Sequence, residues 1–258
     1  MSRYINKYTN QSAIQDALDS GSLSKPYVAY NEGQQTLDYN SLSSYAGEYF
    51  TVEALQSGYF YWNNASNLYY SLNNGAWTAL VEGIEVNTGD KIRLYGTNSA
   101  YNTFTFRPEY IYKVYGNIMS LLYGQNFIGQ TIIESLSTFR NLFSRVMPAN
   151  LMDCSNLILP ATTLTSGCYA SMFNGCENIT KAPTLPATTL ANQCYYTMFT
   201  NCTNLNYIKC LATSDVGGSW MTDWLSGVAS TGTFVKASGV SWPVGTGGIP
   251  SGWTVVEV

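Results

Sequence analysis

The chain repeats itself with a period of 26 residues, and no other property constrains its fold as much. Leu159-Pro-Ala-Thr-Thr-Leu164 returns as Leu185-Pro-Ala-Thr-Thr-Leu190, and the same shift carries Cys168 onto Cys194, Met172-Phe173 onto Met198-Phe199, Cys176 onto Cys202 and Ile179 onto Leu205. A fixed period of this size predicts a stack of similar units, each burying its apolar side against its neighbours. Two to three such units are too few to stand alone, so the flanking segments are expected to close both ends.

Within each unit the Pro-Ala-Thr-Thr-Leu segment is expected to be extended. The Cys-Tyr-x-x-Met-Phe-x-x-Cys segment, with apolar residues three and four apart, is expected to be helical, or one turn of it. Asn178 and Asn204 stand where a side-chain amide can satisfy the backbone of the adjoining unit. Phe139-Arg-Asn-Leu142-Phe143 opens the first unit in one register, which puts Val146 where later units have Cys and leaves Cys154 incidental. A competing register starts from Cys154-Ser-Asn-Leu157, which echoes Cys176-Glu-Asn-Ile179.

All six cysteines (154, 168, 176, 194, 202 and 210) fall in this region, with no Cys-x-x-Cys pair and no His anywhere in the chain to complete a zinc site. Equivalent cysteines should therefore stack inside the units as small buried thiols; a disulfide framework is the alternative.

Before the repeats, residues 46–115 read as all-β. Tyr49–Val52, Gly58–Trp62, Leu68–Leu72, Trp77–Leu80, Lys91–Tyr95 and Asn102–Phe106 are short, aromatic and β-branched, and turn signals punctuate them. That spacing predicts a small antiparallel sandwich or barrel, with a tight hairpin at Leu72-Asn-Asn-Gly-Ala-Trp77.

Residues 1–45 hold a short helical candidate at Ser12–Asp19 and two extended pieces, Tyr27-Val28-Ala29-Tyr30 after Pro26 and Leu37-Asp-Tyr39, around a turn at Asn31-Glu-Gly33. They contain too little apolar surface for a core, and read either as a flexible tail or as an arm that orders on a partner. After the repeats, residues 213–258 are expected to form a β cap. Trp220–Leu225 would be a helical turn there, 232–236 and 253–256 strands, and Trp220, Trp224, Trp242 and Trp253 the cover for an open end. The run Leu205–Leu211 is expected to be the last regular strand of the stack. The fold class is thus multi-domain and mainly β with a short α/β solenoid: arm 1–45, sandwich 46–115, repeats 116–212 and cap 213–258.

Composition narrows the function. Charged residues make up 11% of the chain against roughly 25% in ordinary soluble domains, while aromatics reach 14%, with 21 tyrosines. The net charge of −4 and the scattering of 12 basic residues argue against a nucleic-acid partner. The absence of His removes the commonest general base, and no nucleophile elbow or phosphate loop is present. Glu48, Glu53, Glu82, Glu85, Asp90 and Glu109 are expected to be solvated surface charges rather than a catalytic pair. No enzyme activity, cofactor or metal is expected. No window reaches the roughly 18 apolar residues of a membrane span, and the first residues lack the apolar core of a signal peptide, so neither membrane insertion nor ordinary export is expected. An outward platform of Tyr59, Tyr61, Trp62, Tyr69 and Tyr70 is the candidate for glycan contact; the competing reading buries these residues in the β-core.

The units Leu-Pro-Ala-Thr-Thr-Leu-x-x-x-Cys-Tyr-x-x-Met-Phe-x-x-Cys-x-Asn-Leu/Ile resemble the BspA-like leucine-rich repeats found in surface proteins of gut Bacteroidales and in their phages. The lead-in from Gly116 and the ending from Val228 are similar to the same family, so the resemblance covers about residues 50–258. Pro26, Tyr27, Val28, Ala29, Tyr30, Leu37 and Tyr39 resemble the start of virion proteins in crAss-like and related phages, where such arms seat fibre or decoration proteins. The resemblance implies a structural protein of a phage virion (head fibre, capsid decoration or tail-associated protein), docked through these arm residues on capsid or tail proteins. It would be a homo-oligomer, assembled in the host cytoplasm, and would display its outer module towards a host-surface glycan or protein. A bacterial cell-surface adhesin of the BspA-like kind is the alternative.

Overall fold

The computed structural model describes residues 45, 47–63, 66–144, 146–245 and 247–258. The arm residues Pro26, Tyr27, Val28, Ala29, Tyr30, Leu37 and Tyr39 and the helical candidate at 12–19 lie outside the described residues. The described chain is mainly β, with several sheets and no barrel.

The first layer is a six-stranded sheet in the order β4-β3-β6-β1-β8-β9. Its strands are β1 (Phe50–Ala54), β3 (Leu68–Leu72), β4 (Thr78–Ala79), β6 (Lys91–Gly96), β8 (Tyr112–Asn117) and β9 (Leu151–Ile158). Facing it is a three-stranded antiparallel sheet, β5-β2-β7, built from β2 (Gly58–Asn63), β5 (Ile84–Val86) and β7 (Thr105–Pro108). The layers meet through Phe50, which packs 6.5 Å from Trp62 and 6.4 Å from Phe106, ring centre to ring centre. The expected hairpin is present: Tyr69 pairs with Ala79, Asn73 and Asn74 both adopt positive φ, and Gly75 donates back to Leu72 O at 2.8 Å. Asparagine tolerates that backbone region and so allows the tight turn.

The sheet is not purely antiparallel, because β9 joins β8 in parallel. Tyr112 faces Leu151, Lys113 faces Asp153 and Tyr115 faces Asn156, so β9 carries two extra residues. These bulges turn its burial into a period of three, with Leu151, Cys154 and Leu157 all inward. Cys154 is therefore a core residue rather than incidental. At the junction Gly116 has φ +82, and any Cβ there would collide with the Tyr49 carbonyl. The chain then makes one turn of helix, α1 (Ser120–Tyr123), whose Ser120 hydroxyl accepts from Phe50 N and donates to Leu94 O inside the core.

The Cys-Tyr-x-x-Met-Phe segments are not helices. They are ribbons of successive turns in which alternate amides have different partners. Cys168, Ala170, Met172, Asn174 and Cys176 each donate to the carbonyl three residues back. Gly167, Tyr169, Ser171, Phe173 and Gly175 donate instead to Asn192, Cys194, Tyr196, Met198 and Thr200 of the next ribbon. The same alternation joins 137–143 to 166–172, and 195–201 to 220–226. Positive φ recurs at every fourth residue: Gly167, Ser171 and Gly175, then Gln193, Thr197 and Asn201. Two inward side chains per four residues look like helical spacing in sequence, which is why a helix was expected here. Trp220–Leu225 likewise is turn rather than helix, preceded by a 3-10 turn at Gly218–Trp220. The Pro-Ala-Thr-Thr-Leu segments hold isolated parallel bridges, Ile132 to Thr163 and Thr189 to Ser214, rather than strands.

Phe143 stacks on Phe173 at 5.2 Å and Phe173 on Phe199 at 5.3 Å. The first unit thus opens at Phe139–Phe143. A second column runs Tyr101, Phe139, Tyr169, Tyr195, Trp224 and Trp242, with centroid separations between 5.8 and 6.2 Å. Asn178 donates to Ala149 O at 2.7 Å and Asn204 to Glu177 O at 2.9 Å, tying adjacent units as expected.

Leu205–Leu211 does not end the ladder. Its strand β10 (Tyr207–Cys210) pairs in parallel with β11 (Gly232–Lys236), which pairs in parallel with β12 (Trp253–Glu257). The C-terminal segment therefore extends the stack while its tryptophans close it: Trp224 is fully buried and donates to Gly248 O, and Trp253 donates to Ala229 O. All six cysteines are buried and free. Among the described residues, no helix is long and apolar enough to cross a membrane.

Candidate functional site

Strand geometry divides the expected aromatic platform. Successive residues of a strand point to opposite faces, so Tyr59 and Tyr61 lie on the outer side of β2 while Phe60 and Trp62 lie on the inner side. Trp62 is 1% exposed, with its ring 5.0 Å from Phe106 and 5.4 Å from Tyr101. It is a core residue and no part of any platform. Tyr69 is outward on the other sheet, stacked on its cross-strand partner Tyr95 at 4.9 Å and 13°. Tyr70 pairs with Leu94 and faces the opposite way. Of the five residues, only Tyr59 and Tyr61 share a surface.

That surface is the outer face of the three-stranded sheet. Tyr59 is 44% exposed, and its ring lies 6.2 Å from that of Tyr61. The Arg107 guanidinium sits 4.7 Å over the Tyr61 ring and pairs with Glu109 at 3.2 Å. Glu85 faces Tyr59 across the β2–β5 register. A cation held on Tyr61 and paired with Glu109, and a carboxylate across from Tyr59, make a small, flat and charged patch.

A second feature lies on the outer face of the six-stranded sheet, where the sequence showed only dispersed charges. A cavity of about 440 Å³ is lined by Tyr45, Glu48, Glu53, Lys91, Lys113, Val114, Tyr115, Asp153 and Asn156. The strand register explains its chemistry. Lys91 faces Glu53, Glu53 faces Lys113, and Lys113 faces Asp153, so four adjacent strands carry an alternating row of charges. Strands stand about 4.8 Å apart, and Lys113 reaches Glu53 at 2.9 Å. In the next row Tyr115 faces Asn156, and the Tyr45 ring tilts against Tyr115 at 5.0 Å. Burial first, then the charges of Glu53 and Glu48, pushes the Tyr115 phenol above its ordinary range, so it keeps its proton and hydrogen-bonds Glu53.

The expectation of solvated carboxylates thus fits the exposed Glu82, Glu85 and Glu109, but not Glu53, which is built into this row. Asp90 has another role: it accepts from Asn87 N at 2.8 Å and from Asn73 Nδ2 at 2.7 Å, and these bonds lower its pKa. The row is invisible in sequence because Asp153 lies 40 residues from Lys113 and meets it only through the bulged β9. Among the described residues, no cluster of His, Cys, Asp or Glu could hold a metal ion. The chain matches no family model, no curated protein and no solved structure.

Proposed function

We propose that the chain is a non-enzymatic structural protein of a phage virion, as a head fibre, capsid decoration or tail-associated protein. Residues 1–45 would dock it on capsid or tail proteins, several copies would assemble following particle symmetry, and the β-layers and repeats would face outward for adhesion to a host-surface glycan or protein. In this reading the ladder of turn ribbons is a short leucine-rich-repeat solenoid of the BspA-like kind.

The observation that carries the proposal is the unbroken core. Aromatic rings run in register from Tyr101 in the β-layers to Trp242 at the far end, and one hydrophobic cluster holds both. A module packed in this way is suited to present a surface rigidly, while the low charge of the chain suits an extracellular setting. The test is mass spectrometry of purified particles, with cryo-electron microscopy to place the chain. Particles that lack it sink the proposal. The resemblance of the repeats to surface adhesins supports a second reading, a bacterial cell-surface adhesin. It predicts that antibodies against the chain label intact bacterial cells.

A further inference from the structure

We infer that the cavity over β1, β6, β8 and β9 is a binding site for a neutral saccharide. This deepens the adhesion part of the proposed function and rests on that reading for its setting. Three carboxylates (Glu48, Glu53, Asp153) stand among two ammonium groups (Lys91, Lys113), so the lining has no excess of positive charge to draw an anion. The lysines separate the carboxylates along the row, which leaves no adjacent set of acids to enclose a cation. Val114 is the only aliphatic residue of the lining, so an apolar ligand has little to bury against.

What the lining offers is a succession of donors and acceptors at strand spacing. A sugar hydroxyl both donates and accepts, so neighbouring hydroxyls on one ring can serve a lysine and a carboxylate in turn. Asn156 adds a mixed donor-acceptor beside the row, and the Tyr115 phenol, hydrogen-bonded to Glu53, adds an acceptor oxygen. The Tyr45 ring, tilted on Tyr115, supplies a flat apolar flank for the C–H face of a pyranose. The volume of about 440 Å³ lies within the range of small-ligand sites, about 300–1,000 Å³.

The bulges strengthen the assignment. β9 departs from regular pairing on both sides of Lys113, beside the cavity, and bulges re-aim side chains where a strand borders a site. The site is also composite: β1, β6 and β8 come from the first layer, whereas Asp153 and Asn156 arrive from the repeat region. Neither part carries it alone.

The test uses the purified full chain and the methyl glycosides of glucose, galactose, mannose and N-acetylglucosamine as probes, read by saturation-transfer NMR and titration calorimetry. At least one neutral glycoside should bind with a dissociation constant on the order of millimolar, because each new hydrogen bond replaces one to water. Asp153→Asn and Asn156→Ala should each weaken it about fivefold or more, as expected for loss of a charge-assisted or bidentate contact. Lys91→Met, at the exposed rim, is a third variant should those within β9 disturb folding. No binding by any neutral glycoside overturns the assignment. So does tighter binding of the anionic methyl glycoside of N-acetylneuraminic acid, or binding lost in Tyr61→Ala but kept in all three cavity variants. A chain that binds sugar yet is missing from particles overturns the virion reading alone. A chain present in particles that binds none of these sugars overturns the saccharide site alone.

Discussion

The six thiols show how far burial governs chemistry at single residues. Desolvation is the first cause that pushes Cys194, Cys202 and Cys210 up to about 12, and it raises Cys154, Cys168 and Cys176 as well. The Cys202 thiol points at Phe173 O at 3.0 Å, a local contact rather than a partner for oxidation. In the unfolded chain each thiol gives up its proton near its ordinary pKa of about 8.5; in the folded chain it keeps that proton until far higher pH. The unfolded state therefore binds fewer protons through this window, and stability present below it is lost as pH rises, by about 1.4 kcal/mol per pH unit for each thiol. The urea midpoint should be level up to pH 8 and fall steeply above pH 9, and replacing Cys202 with Ala should reduce the slope. A midpoint unchanged to pH 10.5 would remove this account. The stacking of equivalent cysteines was legible in the 26-residue period alone. The inward turn of Cys154 was not, because two bulges in β9 set it.

At the level of elements, the turn ribbon is the feature that local sequence disguises. Cys168-Tyr169, Met172-Phe173 and Cys176 recur every four residues, close enough to 3.6 to imitate a helix face. What separates the two structures is the backbone. A helix keeps every φ negative, whereas the ribbon needs a left-handed residue at each fourth position, and only the glycines and asparagines there, such as Gly167, Gly175 and Asn201, betray that by type. Ser171, Gln193 and Thr197 adopt the same region without glycine's freedom, a local cost of about 1–2 kcal/mol each. Gln193 is exposed and at φ +54. Gln193→Gly should hold or raise the thermal midpoint, whereas Gln193→Val should lower stability by about 1–2 kcal/mol, since a β-branched side chain fits this region worst. Equal midpoints for the two variants would contradict the ribbon geometry. The hairpin at Asn73-Asn74-Gly75 was legible for the opposite reason: its residue types state their backbone angles. The aromatic platform misled because Tyr61-Trp62 and Tyr69-Tyr70 are adjacent in sequence, and adjacency in a strand means opposite faces.

Across the whole molecule, the boundaries suggested by composition do not interrupt the core. β9 belongs by sequence to the repeat region and by hydrogen bonding to the first sheet, while the parallel ladder of β10, β11 and β12 crosses residue 212. Residues 46–258 should therefore unfold in one calorimetric transition, with van't Hoff and calorimetric enthalpies that agree. Two resolved transitions would show that the layers and the repeats are energetically separate. The ribbons also set an arithmetic of permitted lengths. Inserting one residue within a ribbon would exchange the amides that close local turns with those that reach the neighbour, and would throw the left-handed positions out of step. Segments between ribbons carry no such count: ribbon-to-ribbon bonds span 29 residues at the first junction, Phe139 to Cys168, and 25 at the second, Tyr169 to Cys194. Length variation in this molecule is thus quantised in steps of four inside the ribbons and free between them, so a grafted loop belongs in the segment from Phe143 to Ser166, which is four residues longer than its counterpart from Phe173 to Asn192.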